Sequence, residues 1–151
     1  MLKDVRQYFF VLRRKIQRLG RQQRSILAIT VAPALQTQLH IFSVHERWKF
    51  MLAKSVADAR LLMRVQKVSV IIYDREGTDA EWTQAIRLFR GCPDPPLFIL
   101  LTGSADRRIW KSLLDCGGYD MALKPVDRQS LARLLNGAVE LDACVEELVG
   151  T

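Results

Sequence analysis

Short apolar runs that alternate with helix-like stretches constrain the fold of this chain more than any other feature of its sequence. Five runs of five or six residues read as strands: Ile26–Val31, Trp48–Ala53, Val68–Tyr73, Leu97–Thr102 and Tyr119–Leu123. Continuous apolar strands are typical of sheets covered by helices on both faces, and strands separated by helices run parallel. The sequence therefore predicts a three-layer α/β/α sandwich with a five-stranded parallel sheet.

Local signals place a helix after each strand. Pro33 suits a first helical turn, and both Ser55 with Asp58 and Thr78 with Glu81 have the spacing of a capping box. The predicted helices are Ala34 to about His45, one after Ser55, one opened by Thr78 that ends at Gly91, Asp106–Cys116, and one from Asp127 toward Leu148. For five strands and five helices in this alternation we expect the flavodoxin-like strand order 2-1-3-4-5.

The positive charge of the chain is confined to its N-terminal segment. Residues 1–24 contain eight basic residues and one acidic residue, which accounts for the whole net charge of +7. Apolar residues in this segment follow a heptad spacing that predicts one helical stripe: Leu2, Val5, Phe9, Leu12, Ile16 and Leu19. We therefore divide the chain into a basic amphipathic N-terminal helix at residues 1–24 and one globular domain at residues 25–151.

Three roles are open for this N-terminal helix. An apolar stripe under three heptads long is too short for an independent coiled coil, so it needs other support. We favour an interpretation in which the helix docks on another part of the molecule. It packs either on its own domain or on the same helix of a second copy, and the second arrangement gives a homodimer through residues 2–19. A basic amphipathic helix also suits peripheral membrane contact and, as the least favoured role, nucleic-acid contact. Because the rest of the chain is electrically neutral, any attraction to anionic partners belongs to this segment.

Cysteine and histidine usage excludes several classes of site. Cys92, Cys116 and Cys144 are odd in number and widely spaced, and the only histidines are His40 and His45. A structural zinc site and a hydrolase triad therefore have no support. No apolar run approaches the ~18 residues of a membrane-spanning helix, and no clean signal peptide is present, so we expect a cytoplasmic protein with reduced thiols.

Polar residues at the ends of the predicted strands indicate the functional edge of the sheet. In an open parallel sheet the crevice lies at the carboxyl ends of the strands. There Thr30 ends the first strand, Asp74 follows the third, Thr102 ends the fourth, and Lys124 with Pro125 follows the fifth. The sequence thus brings an acid, hydroxyl groups and a lysine to one edge.

Over residues 25–145 this pattern resembles a response-regulator receiver domain. The resemblance rests on Asp74 after VSVIIY, Thr102 in FILLTGSAD and Lys124 with Pro125 in MALKP. It implies that Asp74 is a phosphoacceptor, that Thr102 and Lys124 bind the phosphoryl group, and that the peptide bond before Pro125 is cis. It also implies signal transduction in a two-component phosphorelay without enzyme activity, with a sensor histidine kinase or a downstream signalling protein as partner.

The chain departs from the receiver pattern at the end of the first strand. Receiver domains usually carry a pair of acids there that binds Mg²⁺ with the phosphoacceptor, and Thr30 and Val31 occupy these positions. We therefore expect Mg²⁺ to bind weakly or not at all, through Asp74, with Glu76 or Asp79 as partial substitutes. A second departure is Met121, where the family often has an aromatic residue. Both departures favour a degenerate receiver.

Three functions are weighed on these residues. A phosphorylatable receiver uses Asp74 for chemistry, whereas a constitutive pseudo-receiver keeps only the binding surface; in the second case Asp74 is a turn residue and Lys124 forms a structural salt bridge. The third, an enzyme or nucleotide-binding protein on the same scaffold, lacks any glycine-rich phosphate-binding motif. For either receiver, the expected partner face includes Ile109, Trp110, Tyr119 and residues from Asp127 onward.

Overall fold

The computed structural model describes residues 24–45, 48–76, 81–104 and 106–137. Strands and helices alternate through these ranges as the apolar runs predict. The strands are β1 (Arg24–Ile29), β2 (Trp48–Ala53), β3 (Val70–Asp74), β4 (Leu97–Thr102) and β5 (Asp120–Leu123). The helices are α1 (Pro33–His45), α2 (Val56–Val65), α3 (Trp82–Arg90), α4 (Arg107–Cys116) and α5, which is helical over the described residues 128–137.

All five strands are parallel and lie in the order β2-β1-β3-β4-β5. The predicted sheet topology is therefore confirmed. In this register Asp74 pairs with Leu101, and Thr102 pairs with Leu123. Because parallel strands end at the same edge, the residues that terminate β1, β3, β4 and β5 are close in space.

Two apolar layers enclose the sheet, one on each face. On one face, α1 and α5 cover side chains such as Ile26, Val70 and Ile72. On the other face, α2, α3 and α4 cover side chains such as Ile71 and Tyr73. Every residue of β3 and β4 is buried, which explains why these runs lack the polar alternation of a half-exposed strand.

Most local signals act as the sequence predicts. The Ser55 side chain accepts a hydrogen bond from the backbone N–H of Asp58 and caps α2. Asp127 accepts from the N–H of Ser130 at 2.7 Å, which caps the helix that follows. Gly117 ends α4 with φ of 88°, a left-handed conformation that favours glycine.

The predicted start of α3 is wrong. The helix begins at Trp82, and Glu81 is its N-cap residue in an extended conformation without a side-chain capping bond. The predicted box needs Glu81 inside the first helical turn, whereas Glu81 precedes the helix, and its carboxylate accepts a hydrogen bond from the Thr83 hydroxyl at 2.9 Å. Thr78, the other half of the predicted box, lies outside the described residues.

Strand ends shift by up to two residues from the predictions. β1 ends at Ile29, so Thr30 and Val31 follow the strand, whereas β3 extends to Asp74. Pairing across the sheet sets these ends, because Asp74 remains in register with Leu101 of β4. Of the predicted N-terminal helix at residues 1–24, only Arg24 is described, and it begins β1. Residues 1–23 and 138–151 lie outside the described residues, so the division of the chain at residue 24 stays a prediction.

Candidate functional site

Asp74 forms the floor of the candidate site at the carboxyl edge of the sheet. Its side chain is only 1% exposed. One carboxylate oxygen, Oδ2, accepts a hydrogen bond of 2.6 Å from the Thr30 hydroxyl. Thr30 Oγ1 in turn accepts from the N–H of Ala32 at 3.0 Å, which fixes the orientation of the hydroxyl. Thr30 therefore presents a hydrogen atom, not a free acceptor, to Asp74.

Lys124 joins two carboxylates above this floor. Its ammonium bonds to Asp74 Oδ1 and lies 2.7 Å from Glu76 Oε2. The Lys124 backbone N–H donates to the Thr102 carbonyl at 2.9 Å, which anchors the residue just beyond β5. The peptide bond between Lys124 and Pro125 is cis. Lys124 thus places one positive charge between two negative ones.

Glu76 reaches back over the end of β4. Its Oε1 accepts hydrogen bonds from the Thr102 hydroxyl at 2.9 Å and from the Gly103 N–H at 2.8 Å. Arg75 Nη1 lies 3.5 Å from the same oxygen and 3.4 Å from Thr102 Oγ1. Two carboxylates and two cations therefore form one hydrogen-bonded group.

This group changes the protonation of its members. Partial burial acts to raise the pKa of Glu76, but hydrogen bonds from Lys124, the Gly103 amide and Thr102, with the charge of Lys124, lower it from 4.5 to about 2. Burial acts to lower the pKa of Lys124, yet its bonds to Asp74 and Glu76 raise that pKa overall. Both groups are accordingly charged at neutral pH, and each stabilises the charged form of the other.

The structure brings Asp74, Thr102 and Lys124 into one group, which also includes Thr30. Val31, in contrast, is 54% exposed and makes no contribution to the polar group. Sequence reasoning considered Glu76 only as a metal ligand and missed its bonds to Thr102 and Gly103. The signal was present, because an acid two residues past Asp74 can reach the neighbouring strand end, but side-chain direction in a loop is not fixed by apolar periodicity.

Few acidic side chains are available for a metal at this edge. In the described ranges no three or more histidine, cysteine, aspartate or glutamate side chains form a group that could hold a metal ion. Asp74 and Glu76 direct their oxygens at hydrogen-bond donors, as given above. Asp79, named above as a possible substitute ligand, lies outside the described residues.

Exposed apolar side chains occur on the neighbouring elements α4 and β5. Trp110 and Leu114 are one helical turn apart and are 38% and 50% exposed, and Leu123 of β5 is 50% exposed. Ile109 was expected on this face, but it is buried in the apolar layer beneath α4, because the helix turns it inward.

Among the described residues, no helix has the length and apolar character needed to span a bilayer.

Comparison with solved structures shows that the chain has the fold of receiver domains. The receiver domain of the TMAO respiratory response regulator TorR aligns with a TM-score of 0.71 and 24% identity, over 78% of this chain and 98% of that one. Chemotaxis response regulator CheY4 of Vibrio cholerae aligns with a TM-score of 0.71 and 13% identity, over 78% and 99% of the two chains. A LuxO repressor receiver domain from Vibrio parahaemolyticus aligns with a TM-score of 0.73 and 15% identity, over 86% and 100%. No family model and no curated protein matches the sequence.

Proposed function

We propose that this protein is a degenerate receiver that transmits a signal through protein contacts and not through metal-dependent phosphorylation of Asp74. The observation that carries the proposal is the hydrogen bond of 2.6 Å from the Thr30 hydroxyl to Asp74 Oδ2. Thr30 stands where the receiver pattern has an acid that binds the metal. A neutral donor there supports a structural role for Asp74.

The groups around Asp74 do not provide a suitable set of ligands for Mg²⁺. This ion requires oxygen ligands in octahedral geometry and is usually bound by one or two carboxylates and water. Here one oxygen of Asp74 faces a hydroxyl hydrogen and the other faces the Lys124 ammonium. The charges of Asp74, Glu76, Arg75 and Lys124 already cancel, so an added divalent cation has no uncompensated charge to neutralise.

Phosphoryl transfer to Asp74 loses support on the same grounds. An incoming phosphoryl group carries negative charge, and a cation normally stabilises that charge as it develops. Lys124 is already bonded to both carboxylates, and Asp74 is only 1% exposed. The competing hypothesis, a working phosphoacceptor at Asp74, is supported by the assembly of Thr102 and Lys124 at the same edge.

The proposed output surface consists of Trp110, Leu114 and Leu123. Exposed aromatic and aliphatic side chains on adjacent elements are typical of protein-binding surfaces. This surface adjoins the candidate site, because β5 leads directly into Lys124. A signalling protein, either a sensor kinase or a downstream component, is the partner class that we propose, and we propose no enzyme activity.

A phosphorylation assay tests the proposed function. The full chain is incubated with Mg²⁺ and acetyl phosphate, and its intact mass is measured; a parallel sample receives beryllofluoride and is followed by amide chemical shifts. We expect no added phosphoryl mass and no shift at Asp74, because the metal ligands are replaced.

Two controls make a negative result informative. A receiver domain with an intact acidic pair, in the same mixture, shows that the donor is active. Asp74→Asn removes the candidate acceptor with little change in size. Phosphoryl mass that appears in the natural chain and is absent from Asp74→Asn would establish a working receiver and overturn the proposal.

We also propose that residues 2–19 form a homodimer contact, with peripheral membrane binding as the competing role. Light scattering of the full chain and of a Leu12→Asp variant tests the dimer contact, since a charge in the apolar stripe disrupts a helical seam. A dimer that becomes a monomer in Leu12→Asp supports the contact. A monomer at high concentration in both samples argues against it.

A further inference from the structure

Four hydrogen-bond donors of the chain point at one carboxylate. Thr102 Oγ1, the Gly103 N–H, Lys124 Nζ and, at longer range, Arg75 Nη1 all approach the two oxygens of Glu76. We name the first three donors the oxyanion cradle. A hydroxyl, a backbone amide and an ammonium that converge on one volume form a binding site for a small oxyanion, because each donor is strengthened by the negative charge of its acceptor.

The elements that carry the cradle are held by the sheet. Thr102 is the last residue of β4 and is fully buried. The backbone N–H of Lys124 donates a hydrogen bond of 2.9 Å to the Thr102 carbonyl. Gly103 follows directly, and a Cβ placed there would meet Glu76 Oε1 at 3.6 Å, an ordinary contact distance. The Thr102 and Gly103 donors and the backbone of Lys124 are therefore fixed by strand ends, whereas the acceptor comes from a loop side chain.

We propose that Glu76 is a resident anion that occupies the oxyanion cradle and holds Thr102 and Lys124 in their anion-bound arrangement without any covalent modification. The inference rests on the proposed function, since occupancy of the cradle by Glu76 explains why a receiver without phosphorylation is constitutive. The carboxylate has two oxygens for three donors, and it uses both: Oε1 for Thr102 and Gly103, and Oε2 for Lys124.

A tethered anion has an advantage over a free one. Glu76 is two residues from Asp74 in the chain, so its binding to the cradle is intramolecular and avoids the entropy lost when a free ion binds. Its side chain is nevertheless 42% exposed, so solvent and small ions reach the rim of the cradle. Removal of the carboxylate should therefore leave a vacant cradle that a free oxyanion can enter.

Phosphate titration of the full chain tests this inference. The isotope-labelled protein, without Mg²⁺ and without a phosphodonor, is titrated with inorganic phosphate while the amide shifts of Thr102, Gly103 and Ser104 are recorded. In Glu76→Ala we expect these amides to shift and saturate at a phosphate concentration at least about tenfold below that of the natural chain, because the competing anion is gone.

Matched variants separate occupancy of the cradle from general charge effects. Asp115→Ala removes one negative charge from an exposed position of α4 and should titrate like the natural chain. Glu76→Ala combined with Thr102→Val should lose the tight phosphate binding, because one donor of the cradle is removed. Glu76→Gln keeps the size of the side chain and serves if Glu76→Ala fails to fold; it should bind phosphate more tightly than the natural chain.

Three results would overturn the inference: equal phosphate midpoints for the natural chain and both Glu76 variants, no saturating shift in either Glu76 variant, or an equal gain in Asp115→Ala. None of these depends on transfer of a phosphoryl group to Asp74, because the titration contains neither metal nor donor. The phosphorylation assay can therefore fail or succeed independently of this titration.

Discussion

Thr30 shows at the scale of one residue how a hydroxyl changes the chemistry of a buried acid. Its hydrogen bond of 2.6 Å uses Asp74 Oδ2, while Lys124 uses Oδ1. The sequence predicts that these residues meet, because parallel strands end at one edge. It does not predict the bonds of Glu76, because the direction of a loop side chain depends on the donors that the folded edge provides.

Thr30→Asp should create a Mg²⁺ site. A second carboxylate beside Asp74 destabilises the metal-free fold through like-charge repulsion, and Mg²⁺ relieves that repulsion. At about 100 times its dissociation constant, the ion should add about 2.7 kcal/mol to the free energy of unfolding. Thermal unfolding with and without Mg²⁺ measures the effect.

Thr30→Asn is the matched control, because it has the same size as the aspartate variant but no charge. Neither this variant nor the natural chain should gain stability from Mg²⁺. A gain in the natural chain equal to that in Thr30→Asp would contradict the role assigned to the Thr30 hydroxyl.

Glu76 should contribute stability that depends on pH. Its pKa is lowered to about 2 in the folded chain from an ordinary 4.5, so the contribution is present above pH 4.5 and is lost as the pH falls through about 2. The difference in free energy of unfolding between the natural chain and Glu76→Gln, measured with urea, should therefore shrink over this range. Solvent screening limits its size, because the side chain is 42% exposed. A difference that stays constant from pH 7 to pH 2 would contradict the assignment.

At the scale of elements, the helix ends show which capping patterns predicted from the sequence form in the folded chain. Ser55 caps the start of α2 and Gly117 ends α4 as predicted, because Ser55 acts through a bond to the first turn and Gly117 through its own backbone. Glu81 is not inside the first helical turn, as the predicted box requires, because α3 begins at Trp82, and its carboxylate bonds to Thr83. A spacing rule identifies side chains that can cap, but competing neighbours decide which bond forms.

Ser55→Ala should destabilise the chain by about 1 kcal/mol, because the N–H of Asp58 loses its acceptor at the start of α2. Ser55→Gly is the matched comparison and should cost only a few tenths of a kcal/mol, roughly the penalty typical of glycine at this position. Chemical denaturation with equal slopes for all three proteins measures the difference. No measurable loss in Ser55→Ala would show that the side-chain bond contributes nothing to stability.

The two faces of the sheet make the described part of the molecule a single packed unit. Ile71 faces one apolar layer and Ile72 the other, and both are fully buried in the central strand β3. Continuous apolar runs predict this double coverage. Composition and spacing could not place residues 1–23, whose apolar stripe suits several partners.

Ile71→Val and Ile72→Val should each lower the free energy of unfolding by roughly 0.5–1.5 kcal/mol, because each removes one buried methyl group. Since both layers share β3, far- and near-ultraviolet circular dichroism should report one coincident transition in each variant. Val65→Ala, at a side chain 85% exposed, is the control and should be within about 0.5 kcal/mol of the natural chain. Separate transitions for the two signals would show that the described unit does not unfold in one cooperative step.

The bonds of Glu76 have a consequence for time. An acyl phosphate hydrolyses, so a signal stored in one has a lifetime and must be renewed, whereas a glutamate side chain persists for as long as the chain does. If Glu76 occupies the oxyanion cradle as proposed, bonded to Thr102, Gly103 and Lys124, the arrangement of this edge is set once, at synthesis. A cell would then change the signal by changing the number of copies of the chain, so the duration of the signal would depend on its synthesis and degradation.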